Sequence, residues 1–375
     1  MRGRSRIFRL CVPLAILLAI ASAVPVSAQR SKNNKNKKKI EPTPAVRPML
    51  QPKLIPGEVL RYQVEFQTTS DTKSGGAVQD PEGPSHVVIV WDAKVRLEVL
   101  SGPADLSCNS AAPAAPNAAA NTVRLQTTYE QSSAMVQSDT PDPQSDAIVK
   151  QYQQLEGRSI EFTLGPDGNV SSVSGLEGIL ADANTVRAAQ QWMSQLSAGN
   201  SAPASGVAPG MTWSSEQLAD SLPLGGLAWR TDSTYLRDEP CRSALSSGAA
   251  ASQLDDTCAV ILMSLTLSPS RAKGDATPEQ FRRQGLQSSG HWTGSGDSLS
   301  YVSLRTGWVV SASQSSSQEM DVNISSALGA TVHYGGTVQT HSQISLLPPA
   351  QLAPQAAPPR PPRAILPVRY TVSFR

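Results

Sequence analysis

Polar and apolar residues begin to alternate at Glu58. Leu60, Tyr62, Val64 and Phe66 fall on one face and Val59, Arg61, Gln63 and Glu65 on the other, the period of a half-buried strand. His86–Leu100 carries a longer run of the same kind, marked by Val88 and Val90 and then by Val95, Leu97 and Val99. Thr122–Tyr129 and Ser159–Leu164 continue the pattern, and Gly165-Pro166-Asp167-Gly168 is a turn leading into Asn169–Val173. Successive strands joined by turns predict an antiparallel meander.

The period lengthens to that of a helix in three places. Asp146–Glu156 sets Ile148, Tyr152 and Leu155 at i, i+4 and i+7 and stops at Gly157. Gly175–Ala198 is the substantial one. Ser174 and Glu177 form a capping box, Ile179, Ala183, Val186, Met193 and Leu196 line one face, and Gly199 follows as a terminator. A short third helix opens at Thr277-Pro278 and ends near Gly285.

After the Ser/Ala/Gly stretch Ala198–Ala208 the same grammar returns. Pro209-Gly210-Met211-Thr212-Trp213 echoes Pro56-Gly57-Glu58-Val59-Leu60, and Gly296-Asp297-Ser298-Leu299-Ser300-Tyr301 echoes Gly157-Arg158-Ser159-Ile160-Glu161-Phe162. Strand-like runs cover Gly226–Leu236, Cys258–Leu267, Gly290–Thr293, Asp321–Ile324 and Thr337–Leu346. The expected fold is mainly β: an antiparallel curved sheet or barrel-like body of two diverged meander units, 57–198 and 209–347, with one substantial helix between them. In the order Pro56–Phe66, Gly157–Val173, Gly175–Ala198 and Pro209–Trp213, the chain resembles a group of uncharacterised bacterial secreted proteins. That resemblance implies fold and location and brings no known activity.

The ends differ from the body. Arg2, Arg4, Arg6 and Arg9, the apolar run Val12–Ala23 and Val26-Ser27-Ala28 form a secretory signal peptide, residues 1–28, with cleavage between Ala28 and Gln29. The run is too short for the roughly 20 apolar residues of a spanning helix. Cleavage leaves 28 basic and 30 acidic residues, a net of −2. Ten of the remaining bases gather at the two ends, so Ile40–Pro348 carries 18 basic and 30 acidic residues. Residues 29–56 read as a basic and then Pro-rich disordered linker, and 348–375 as a Pro-rich tail with a possible terminal strand at Val368–Phe374. Lys32, Lys35, Lys37, Lys38 and Lys39 suit an anionic envelope surface or a solvated spacer. No aromatic residue interrupts them, so nucleic acid is not an expected partner.

Four cysteines become three after cleavage, and export permits a disulfide. Cys241 and Cys258 flank a Ser/Ala/Gly-rich excursion between two strands and are the candidate pair, leaving Cys108 odd. Gly296-Asp297-Ser298-Leu299 resembles the nucleophile block of the Gly-Asp-Ser-Leu lipases and esterases. In that family the block sits near the mature N-terminus on a strand-to-helix turn, and an Asp-x-x-His pair supplies the base. Here it leads into strand-like Leu299–Leu304, and no acid follows Asp321 to orient His333 or His341. His86 and His291 complete the histidines, none at metal-ligand spacing, and Asp255-Asp256 and Asp238-Glu239 lack the alternating oxygens of a calcium loop. No phosphate cradle appears, so no cofactor is expected.

Trp91, Trp213, Trp229, Trp292 and Trp308 all stand in strand-like contexts, where they line either a core or a concave surface for an apolar ligand. With aromatics at 5% of the chain, a transmembrane barrel with two interfacial girdles is not expected. The leading expectation is an exported, periplasmic or extracellular, non-catalytic envelope binding or scaffold protein with a lipid or hydrophobic ligand. A secreted hydrolase using Ser298 and a surface-tethering protein acting through Lys32–Lys39 are the alternatives. Oligomeric state is left open.

Overall fold

The computed structural model describes residues 47–76, 85–101, 123–139, 143–164, 170–175, 196, 202–203, 205–219, 222–241, 256–270, 276–327 and 329–347. The signal peptide, the lysine run, Cys108 and the terminal tail lie outside them. So does the helix expected at Gly175–Ala198, apart from Gly175 and Leu196. Among the described residues no helix is long and apolar enough to cross a membrane.

Eleven strands form one curved antiparallel sheet. They are β1 (Val59–Gly76), β2 (Ser85–Ser101), β3 (Val123–Ser138), β4 (Ser159–Leu164), β5 (Val170–Ser174), β6 (Thr212–Leu218), β7 (Leu227–Pro240), β8 (Thr257–Pro269), β9 (Leu286–Ser303), β10 (Val309–Ser326) and β11 (Thr331–Leu346). Among the described residues two short helices accompany them, α1 (Pro143–Gln153) between β3 and β4 and α2 (Glu279–Arg283) before β9. The spatial order is β5-β4-β3-β2-β1-β11-β10-β9-β8-β7-β6. Adjacent strands are thus consecutive in the chain, except at the seam where β1 meets β11 from Tyr62↔Leu346 to Gly76↔Val332, and the consecutive β5 and β6 stand at opposite edges.

The sheet is open, not a closed barrel: β5 and β6 are its two edges. Those edges are 5 and 7 residues long, whereas β1, β9 and β10 each run for 18, so little unpaired backbone is offered to another chain. β9 and β10 extend well beyond the short runs legible in the sequence. Ser313–Gln318 and Ser295–Asp297 pair residue for residue with their neighbours although they have almost no apolar periodicity. Ladder bonds with a strand on each side hold them extended.

Alternation decides what the sheet buries. Tyr62, Val64, Val95, Leu97, Val99, Leu125, Ile160 and Phe162 face inward and pack with Leu196 and Trp308 into one core. Trp229, Leu265, Leu267, Trp292, Met320 and Val322 form a second with Leu222 and Leu224, and Tyr235, Ala259, Ile261, Val302 and Val309 form a third with Leu50 and Val207. Leu50 belongs to the stretch read as a linker. It is 1% exposed, and its segment is tied down by Val207 N–H to the Pro48 carbonyl at 3.0 Å and Lys53 N–H to the Thr306 carbonyl at 2.8 Å. Gly206 and Gly307 allow this close passage. At φ of 78° and 76° they adopt the left-handed backbone, and a Cβ would lie 2.7 Å from the Arg47 carbonyl oxygen and 2.1 Å from that of Gln51.

α1 carries out the helical pattern read at Asp146–Glu156, shifted by three residues. Ile148 and Leu155 are buried, while Tyr152 stacks near Trp91 with ring centroids 5.3 Å apart. Cys241 and Cys258 form a disulfide across the ends of β7 and β8, with Cα atoms 4.9 Å apart and both side chains fully buried.

Candidate functional site

Register sorts the strand side chains sharply between two faces. The outward face carries Arg61, Glu65, Asp71, Asp92, Arg96, Arg124, Glu130, Glu161, Arg230, Asp232, Asp297, Glu319 and Asp321, several of them paired, as in Arg61–Glu130 at 3.0 Å and Arg124–Glu161 at 2.7 Å. Inward positions of the described strands are uncharged except for Asp238 at the end of β7, which accepts a hydrogen bond from the Tyr235 hydroxyl. Glu58, just ahead of β1, is the other acid turned toward the core. Burial raises its pKa, against the lowering effect of the hydrogen bond that Trp308 Nε1–H donates to it at 3.2 Å.

All four strand tryptophans, Trp91, Trp213, Trp229 and Trp292, occupy inward positions. Trp292 Nε1–H donates to Gln318 Oε1 at 3.1 Å, and Trp91 Nε1–H to the Ser132 hydroxyl at 3.0 Å. Trp229 reaches across β8 to lie on Gly294 of β9. A Cβ there would sit 2.9 Å from the indole and 3.0 Å from Gln318, so the missing side chain makes room for the ring. The Trp91 and Trp292 indoles are therefore hydrogen-bonded wall material, and the Trp229 indole is packed into the same wall.

Between the second and third cores the inward face turns polar. Ser215, Thr231, Ser233, Ser298, Ser342 and Thr68 are all less than 10% exposed, and Gly296 and Ser316 lie in the same rows. Thr68 donates to the Gln339 carbonyl at 3.1 Å. At the β6–β7 edge the Oγ atoms of Ser215 and Ser233 and Oε1 of Gln217 are buried without any hydrogen-bond partner. Unpaired buried polar atoms are uncommon, and three on one pair of strands mark the place where this interior is incomplete. The sequence gives one signal for it: serines, not β-branched residues, at inward positions of otherwise apolar strands.

The opposite face holds a shallow groove of about 480 Å³ across β1, β11, β10 and β9, lined mainly by Gln67, Thr69, Gln339, His341, Ser315, Ser317, Ser295 and Asp297. Asp297 accepts from the Ser264 hydroxyl at 2.9 Å. Hydrogen bonding is what this surface can do. His341 and Asp297 are separated by β10, with Ser315 between them, so the pair is not assembled as a base and its orienting acid.

Among the described residues, those singled out in the sequence have definite places. Ser298 points inward at 4% exposure, whereas His86, His291, His333 and His341 all occupy outward positions, so the structure brings no histidine to the serine. His86 Nδ1 lies 2.7 Å from Asp71 and His333 Nε2 lies 2.8 Å from Asp321, both as exposed pairs. Among the described residues no three ligating side chains converge for a metal. Asp256 anchors the disulfide hairpin, accepting from Thr257 N–H at 2.8 Å and facing Arg305 at 3.6 Å. Asp238 and Glu239 are engaged by Tyr235 and Arg237.

No known protein family and no curated protein matches the chain. Among solved structures it is similar to lipovitellin, in a structure described for its lipid–protein interactions, at 11% identity and a TM-score of 0.39. That match covers 80% of this chain and 26% of the lipovitellin chain, so the protein spans about a quarter of its neighbour. DynF, from the dynemicin biosynthesis pathway of Micromonospora chersina, aligns at 7% identity and a TM-score of 0.16, over 86% of this chain and 94% of its own. An outer membrane channel from Pseudomonas putida aligns at 8% identity and a TM-score of 0.14, over 82% and 100%. The functional reading accordingly rests on this chain's own geometry.

Proposed function

We propose that the protein is an exported, non-catalytic binding or scaffold protein of the envelope that holds an apolar ligand on the inward face of its sheet. The observation that carries this reading is the near-complete exclusion of charge from that face, across eleven strands, in a sheet that stays open. A purely structural core of this width needs a second sheet or a layer of helices. Among the described residues 47–55, 202–203, 205–208, 219 and 222–226 lie over it, held by side-chain packing and by a few backbone bonds, Lys53 N–H to the Thr306 carbonyl at 2.8 Å and Ser270 N–H to the Gly226 carbonyl at 2.8 Å among them. The signal peptide and the disulfide support export, and the lysine run supports approach to an anionic envelope surface. The two runs of consecutive strands, β1–β5 and β6–β11, support an origin in two diverged copies of one meander. Ser298, facing away from every histidine, favours binding over hydrolysis.

The test is native mass spectrometry of the full chain purified from its own envelope, with uptake of a hydrocarbon-like fluorescent probe after solvent extraction. A copurifying apolar mass that the probe can replace is the expected result. Absence of both sinks the reading. An ester-hydrolysing activity abolished by Ser298→Ala replaces it with the hydrolase.

A further inference from the structure

We infer that the ligand is an uncharged amphiphile, and that its hydrogen-bonding head seats at Ser215, Gln217 and Ser233 on the inward face of β6 and β7. The inference rests on the proposed apolar-ligand reading and adds the chemical class. Six inward residues form this patch in three directly opposed pairs: Trp213↔Ser233, Ser215↔Thr231 and Gln217↔Trp229. Two indoles stand at diagonal corners, with hydroxyls and an amide between them. Opposed side chains are about 5 Å apart and diagonal ones about 7–8 Å, so one small polar head spans the patch.

Three features converge on this assignment. First, the Ser215, Gln217 and Ser233 oxygens are buried and unpartnered, with the two serines at 7% and 1% exposure, a state that costs free energy unless something supplies their bonds. The other orphan side-chain atoms, Tyr62 Oη and Thr127 Oγ1, are single and two strands apart in the aliphatic core. Second, the patch lies between the Trp229 and Tyr235 cores, where an apolar chain rooted at the head finds apolar surface in either direction along the strands. Third, no Lys, Arg or His occupies an inward position of the described strands, so a carboxylate or phosphate head would be buried without a countercharge. A hydroxylated, uncharged head meets hydroxyls that both donate and accept.

The experiment uses the full chain after solvent extraction and measures displacement of a fluorescent hydrocarbon probe by monooleoylglycerol, oleate and octadecene. Monooleoylglycerol is expected to bind tightest. Ser215→Ala with Ser233→Ala should weaken it by on the order of tenfold or more, with octadecene unchanged and thermal stability not lowered, because neither hydroxyl has a partner to lose. Gln217→Leu should act in the same direction. Equal affinity of variant and parent chain for monooleoylglycerol, or oleate binding as tightly as monooleoylglycerol, overturns the inference. Binding of octadecene without any preference for a head overturns it while leaving the apolar-ligand reading intact. Failure of all three ligands to displace the probe removes both.

Discussion

In β1 to β4 the inward rows read Tyr62, Val64, Val95, Leu97, Leu125, Ile160 and Phe162, closed by Leu196 and Trp308. In β6, β7 and β9 the inward rows include Trp213, Ser215, Gln217, Trp229, Thr231, Ser233, Trp292, Gly294, Gly296 and Ser298, while β8 between them contributes Ile261, Leu265 and Leu267. Both halves obey one alternation, yet aliphatic side chains fill the first interior whereas indoles, hydroxyls and glycines make up much of the second. Branched aliphatic groups interlock with each other, and among the described side chains of that interior only Tyr62 Oη and Thr127 Oγ1, two strands apart, are unpartnered. Large rings beside serine and glycine leave polar atoms and uneven surface, and three of those atoms have no partner. The difference separates an aliphatic interior from one that mixes rings, hydroxyls and glycines, and the proposed ligand belongs to the second.

Cavity mutations should break the comparison most forcefully. Leu125 is fully buried in the first half, and Leu125→Ala is expected to cost about 2–5 kcal/mol in denaturant unfolding while leaving the affinity of any ligand on the folded protein unchanged. A loss of affinity without a loss of stability would reverse the roles of the two halves. Reduction of Cys241–Cys258 is the next largest effect. The bridge closes a loop with a sequence separation of 17, and removing it should lower stability by about 3 kcal/mol, read as a shift in the urea midpoint between oxidised protein and the double Ser variant. An unchanged midpoint would show that the second half does not depend on that closure.

The smallest effect lies where the halves meet. Glu58, ahead of β1, accepts from Trp308 of the second half, and burial outweighs that bond in raising its pKa. A raised folded pKa means that the protonated form contributes stability below the ordinary glutamate range and that this contribution is lost as pH rises through the folded value. Glu58→Gln keeps an acceptor for the indole and removes the buried charge. The variant should match the parent chain near pH 4 and exceed it at pH 7, by about 0.5 kcal/mol or less once solvent screening is allowed for. A variant less stable at pH 7 would mean that the charge itself holds the seam.

Much of the sheet was legible locally. Val59–Phe66, His86–Leu100 and Ser159–Leu164 alternate strongly enough to name both the strand and its buried face, and Ile148, Tyr152 and Leu155 marked α1 in the same way. β10 was legible only at Asp321–Ile324, because Ser313–Gln318 offers no apolar contrast and becomes a strand through pairing on both sides. The tryptophans were legible as inward residues. The unpartnered patch was not, since a serine on an apolar strand is ordinary until the structure denies it a partner.

Composition and period by themselves determined the β class and the strand faces, because a side chain's face in a strand depends only on its parity. Tertiary structure decided the rest. The seam joins Tyr62 to Leu346 and Trp308 bonds to Glu58 across 250 residues, and no local pattern specifies contacts at such separations. Whether an inward polar atom is satisfied is a question of that same kind. Its answer depends on which distant strand or segment comes to lie against it, and at Ser215, Gln217 and Ser233 no group of the described residues supplies a bond.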